Sequence, residues 1–101
     1  MAKQHTEVII RPLAERQITA ISIYIEQKGY PLTAEKFANK LYDFAESLAV
    51  SPLKYALCKN ELLQKKKFHC AVFQKTYVFI YKLIRNRVIV YQVGHGSRLL
   101  P

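Results

Sequence analysis

The stretch that decides the fold is Tyr77–Val93, YVFIYKLIRNRVIVYQV. Two runs of β-branched and aromatic residues are separated only by Arg85-Asn86, a spacing that leaves room for a tight hairpin and nothing longer. Side chains alternate across a strand, so Tyr77, Phe79, Tyr81 and Leu83 share one face and Val78, Ile80 and Ile84 the other. A strand that is apolar on both faces belongs in the middle of a sheet. Upstream, Phe68 to Gln74 predicts another strand, with Lys75-Thr76 as a second tight turn. The last third of the chain therefore reads as three antiparallel strands, the final one from Arg87 to Val93.

Towards the N-terminus the period changes from two to between three and four. Thr6 to Ile10 predicts a short strand. Pro12 suits the first turn of a helix, where its missing N–H is not needed. Ala14, Ile18, Ile21 and Ile25 then mark one apolar helix face, and Glu15 complements the dipole near the helix start. Gly29 ends this helix and Tyr30-Pro31 turns the chain. Thr33 is the expected N-cap of the next helix, with Leu32 and Phe37 placed as a hydrophobic staple. Ala34, Phe37, Ala38, Leu41, Ala45 and Leu48 form its buried face, and Ser51-Pro52 stops it. Helices over about 14–29 and 33–50, joined this closely, predict an antiparallel helical hairpin. Between Pro52 and Lys67 the pattern is weak; Lys65-Lys66-Lys67 is expected to lead into a strand at an exposed sheet edge. The layout is β-α-α-β-β-β: class α+β, an N-terminal strand and helical hairpin packed on a mainly antiparallel sheet.

A chain of 101 residues, half of them hydrophobic and 12% aromatic, suits a single domain spanning 1–101. No apolar run approaches the ~20 residues of a membrane span. MAKQHTEVII lacks the features of a secretory signal, so a cytoplasmic location is expected. Cys58 and Cys70 fit a reducing compartment and are expected as packed or surface thiols, although they could pair under oxidising conditions. No Cys/His cluster suggests a metal, and no cofactor is implied. Net charge is +9, and it is one-sided. Residues 1–50 balance six basic against six acidic residues, whereas residues 51–101 set ten basic residues against Glu61 alone. Such asymmetry points to a polyanionic partner, a nucleic acid or an acidic protein.

The order of these pieces resembles the RelE/ParE superfamily of bacterial type II toxin–antitoxin toxins. PLAERQITAISIYI is similar to the family's first helix, AEKFANKLYDFAESLAVSP to its second, and YVFIYKLIRNRVIVYQVGHGSR to its closing hairpin with a terminal His-Gly-x-Arg. The resemblance implies a growth-inhibiting toxin neutralised by a cognate antitoxin, as a hetero-oligomer and with homodimers also conceivable. RelE-type members imply a ribosome-dependent endonuclease acting on mRNA; ParE-type members imply an inhibitor of DNA gyrase. The long helical hairpin favours the ParE type. A remnant that keeps only antitoxin binding is the third reading.

The candidate site residues follow from the chemistry of metal-free RNA cleavage. That reaction needs a base for the 2′-OH, cations on the phosphate and an acid for the leaving oxygen. Histidine is the side chain suited to acid–base work near neutral pH, so His95 could serve as acid or base; Arg98 could clamp phosphate through its planar fork. Both roles apply only to a RelE-type enzyme. Lys65, Lys66, Lys67, His69 and Arg87 are candidates for holding nucleic acid or another target. Each also has a plainer reading: a solvated strand end for His95, a salt bridge for Arg98, a soluble edge for the lysines. Gly94 and Gly96 are expected to release the backbone from strand geometry beside His95. Two features count against cleavage. His69-Cys70 stands where many active members carry an arginine, and only Leu99-Leu100-Pro101 follows Arg98.

Overall fold

Arg85 and Asn86 both adopt positive φ, 52° and 29°, the backbone that a two-residue hairpin turn requires. They join β3 (Tyr77–Ile84) to β4 (Arg87–His95), the two central strands of a four-stranded sheet. The computed structural model describes residues 6–96, in the order β1 (Glu7–Ile10), α1 (Pro12–Gln27), α2 (Pro31–Ser47), α3 (Glu61–Lys65), β2 (His69–Phe73), β3 and β4. The strand order is β1-β4-β3-β2: β2, β3 and β4 are antiparallel, and β1 lies parallel to β4. The expected α+β architecture is the one observed, with one additional short helix, α3.

One face of the sheet carries the helical hairpin. Ala14 and Ile18 of α1 and Leu41, Ala45 and Leu48 of α2 pack with Ala71, Phe79, Tyr81, Val88, Val90 and Val93 into the main core. Phe44 of α2 sets its ring 4.9 Å from those of both Phe73 and Phe79, so aromatic contacts add to the aliphatic ones that seat this helix. The opposite face holds a smaller cluster of Cys58, Val78 and Ile80, flanked by Leu63, Phe68 and Cys70.

β4 serves the main core along its length only because it is irregular. Ile80 pairs with Gln92 but Tyr81 pairs with Val90, leaving Tyr91 as an extra residue in a β-bulge. The bulge reverses the alternation, so Val93 joins Val88 and Val90 on the helical face. β1 covers β4 only as far as Val90. Beyond that point the Gln17 side chain takes over, its Oε1 accepting the Val93 N–H at 2.7 Å.

Several local expectations are corrected. α2 starts at Pro31 with Tyr30 as N-cap, so Thr33 lies inside the helix and Leu32–Phe37 is not a staple. A proline at the first helical position presets φ and lacks the N–H that a capping side chain would otherwise satisfy. The β2–β3 turn comprises Gln74, Lys75 and Thr76, with φ of 51° at Gln74 and 61° at Lys75. The strand does not break at Gly94, which pairs with Val78; β4 continues to His95. Gly96 instead matters for its size, because a Cβ there would lie 3.1 Å from Val78 Cγ2. The triple lysine does lead into the edge strand β2, as expected, but by way of a helix end: Lys65 ends α3, Lys66 is its C-cap and Lys67 turns the chain with φ of 66°. Cations at a helix C-terminus complement its dipole. Finally, Cys58 and Cys70 are not thiols but a disulfide, with Cα atoms 4.9 Å apart.

Candidate functional site

β4 ends beside a groove between the sheet and α1. Gln17, Ile21 and Tyr24 of α1 form one wall, and Tyr77, Val93 and His95 the other, around a volume of about 600 Å³. His95 is exposed and pairs across the sheet with Tyr77, whose ring stands edge-on at 6.2 Å. Its position comes from three neighbours: the Val93 amide is held by Gln17, Gly94 is paired with Val78, and the Gly96 N–H donates to the Thr76 carbonyl at 2.9 Å. Gln17 is a positioning residue that the sequence pattern did not single out. It sits on the helix face next to Ile18 and Ile21, where a polar residue turned towards a strand is the one available signal. Ser97 and Arg98 lie outside the described residues, so the phosphate clamp expected of Arg98 has no described geometry.

The other candidates do not gather around His95. Arg87 begins β4, eight residues away, or about 26 Å at the usual rise of a strand. Its guanidinium is paired with Glu7 at 3.3 Å on an exposed surface. His69 lies on β2, stacked on Tyr81 with ring centres 5.1 Å apart. Its Nδ1 is 2.7 Å from the Tyr55 carbonyl oxygen, which can only accept, so this nitrogen carries a proton. The ring is therefore committed to holding the segment before α3. Lys65, Lys66 and Lys67 stand at the end of α3, which packs through Leu63 on the face opposite the helical hairpin. His95 faces the helical hairpin, so the sheet separates the lysines from it.

On that second face a row of two rings flanked by two cations crosses the strands. The Arg11 guanidinium lies 5.2 Å from the Tyr91 ring, Tyr91 stands edge-on to Phe68 at 5.0 Å, and Lys82 Nζ sits 4.6 Å above Phe68. None of these four residues stood out in the sequence, because their elements bring them together from positions 11, 68, 82 and 91. Among the described residues no group of three or more His, Cys, Asp or Glu side chains could hold a metal ion.

An N-terminal strand, a helical hairpin on one face of the sheet and a closing β3–β4 hairpin form the arrangement expected from the resemblance. The family model for the ParE toxin of type II toxin–antitoxin systems matches residues 8–100. The chain belongs to the ParE toxin family. As a member, it is a toxin of a type II toxin–antitoxin system and has a cognate antitoxin as partner. No match to it was found among curated proteins. No helix among the described residues is long and apolar enough to cross a membrane. The ParE match takes in both the groove beside His95 and the cation–aromatic row, so both surfaces belong to the toxin domain itself.

Proposed function

We propose that this toxin acts by binding, as an inhibitor of DNA gyrase in the cytoplasm, and not by cutting RNA. The observation that carries this reading is the dispersal of the candidate catalytic groups. Acid–base cleavage needs its base, acid and phosphate-holding cations within hydrogen-bonding reach of one phosphate. Here His95, Arg87 and Lys65–Lys67 lie at two ends and on two faces of the sheet, and His69 is spent on the Tyr55 carbonyl. A binding toxin needs no such convergence.

The antitoxin is proposed to meet the basic second half of the chain together with the cation–aromatic row, to which the first half adds Arg11. Ten basic residues against one acid would steer an acidic antitoxin onto that side. The association rate should therefore fall as salt is raised, and a salt-independent rate would exclude this steering.

A second reading is supported by one observation: His95 is exposed at the mouth of a groove with Tyr77 beside it. For a RelE-like mRNA endonuclease, that pair would be the start of a site. One experiment separates the readings. The chain is induced alone in a bacterial host while mRNA integrity, translation and DNA supercoiling are followed. Gyrase-dependent DNA damage with intact mRNA supports the binding toxin. Cut mRNA with loss of translation, abolished by His95→Ala or Arg98→Ala, supports the nuclease. Normal growth would mean a remnant that retains only antitoxin binding.

A further inference from the structure

Between Ser51 and Lys67 a single residue, Cys58, is buried. It is 1% exposed, and it is one half of the disulfide to Cys70 on β2. The rest of this 17-residue stretch is exposed or half-buried: Leu53 and Leu62 are exposed, Tyr55 leans on the main core beside Phe44, Leu63 leans on the second cluster, and α3 contributes no buried side chain. Its other attachments are few. The Cys58 N–H donates to the Phe68 carbonyl at 2.9 Å and the Cys70 N–H to the Ala56 carbonyl at 3.3 Å, forming a short antiparallel bridge along the outer edge of β2. The His69 ring and the Tyr81 hydroxyl hold the carbonyls of Tyr55 and Pro52. Five of the ten basic residues of the second half ride on this stretch: Lys54, Lys59, Lys65, Lys66 and Lys67.

We propose that Cys58–Cys70 is a reducible clasp that decides whether this five-lysine segment is fixed on the edge of β2 or released from it. In a protein acting in a reducing cytoplasm, any disulfide is open to challenge by cellular dithiols. The two sulfurs differ in access, because Cys58 is buried and Cys70 only partly so. A protein dithiol of the Cys-x-x-Cys class attacks the Sγ of Cys70 as its thiolate. The Cys58–Cys70 bond breaks, and Cys58 leaves as a thiolate that takes up a proton. The reductant's second thiol then attacks the mixed disulfide and releases Cys70 as a second thiol. Two electrons and two protons pass to the toxin, and the reductant becomes a disulfide. With the clasp open, the one buried residue of the segment is a small free side chain, and the bridge to β2 rests on two backbone hydrogen bonds. The helical hairpin and β3–β4 have their own core of eleven buried residues, none of them from the segment. They stay folded.

The test is amide hydrogen exchange on the intact chain, as oxidised protein and after reduction with dithiothreitol. Thiol titration of the protein unfolded without reductant should find no free thiol beforehand. On reduction, exchange at the Cys58 and Cys70 amides should accelerate at least about tenfold, while amides of β3 and β4 keep their rates. The Cys58→Ser/Cys70→Ser double variant should match the reduced protein and ignore the reductant. Two free thiols in the untreated protein, unchanged exchange at Cys58 and Cys70, or equal acceleration throughout the chain would each overturn the proposal. The reduced wild-type protein gives the same readout should the double variant fail to fold.

Discussion

Raising the pH from about 9 to about 12 should destabilise this protein through one residue, Tyr81. Its side chain is fully buried in the main core, and its hydroxyl donates to the Pro52 carbonyl at 2.6 Å. Burial, with a smaller contribution from Tyr55, pushes its pKa up from 10.0 to about 12. Below pH 10 the phenol is protonated in the folded and unfolded chains alike, and it adds no pH dependence. Between 10 and 12 the unfolded chain loses this proton and the folded chain keeps it, so stability falls as pH rises. A gap of that size amounts to about 3 kcal/mol. Above the folded pKa both forms are ionised and the dependence ends. Tyr81→Phe isolates the effect. At pH 9 the variant lacks one hydrogen bond and should be about 1 kcal/mol less stable than the parent. By pH 12 it should be the more stable of the two, because it has no buried phenol to ionise. Urea denaturation of both proteins at each pH reads this directly. The two stability curves should cross between pH 10 and 12; parallel curves would refute the assignment of the shift to Tyr81.

Other substitutions test the fold at separate points. Gly29→Ala forces a Cβ onto a residue with φ of 95° and should cost about 1 kcal/mol in denaturation, even though nothing lies within 4 Å of that Cβ. Gln17→Ala leaves the Val93 amide without its acceptor, so that amide should exchange faster while those of β3 hold. Phe79→Ala removes a ring at the centre of the aromatic cluster and should cost about 3–5 kcal/mol. Glu7→Ala should change stability by less than about 0.5 kcal/mol, because its pair with Arg87 is solvent-exposed on both sides.

The parts of the fold that could be read from the sequence are those whose signal is repeated. Tyr77 to Ile84 is a run of β-branched, aromatic and other apolar residues on both faces, broken only by Lys82, and Ala14, Ile18, Ile21 and Ile25 hold a helix face over three turns. Single-residue events left no such signal. The extra residue at Tyr91 breaks the alternation without a glycine to mark it, so strict counting would turn Val93 away from Val88 and Val90. The start of α2 offered two competing signals, and the preset backbone of Pro31 prevailed over a possible Thr33 cap. α3 has five residues, fewer than two turns, which is too short for periodicity to register. A lone cysteine pair twelve residues apart gives no framework from which pairing could be read. The candidate site was legible only one residue at a time. His95 is at the end of a strand as expected, but whether it shares a phosphate with Lys65 or Arg87 depends on sheet face and strand order. Both are settled by contacts between segments far apart in sequence, β1 against β4 and Leu63 of α3 against Val78 and Ile80 of β3.

The parallel pairing of β1 with β4 carries a consequence for the birth of the molecule. The second strand to be laid beside Glu7–Ile10 is made some eighty residues later, and it brings Val88, Val90 and Val93 with it. A ribosome that has not yet translated Arg87 therefore holds a chain whose first strand has no neighbour and whose helical hairpin has no complete floor. The hazardous shape comes into being only once Arg87–His95 has been made, which leaves the synthesis of everything before it for a neutralising protein to be on hand.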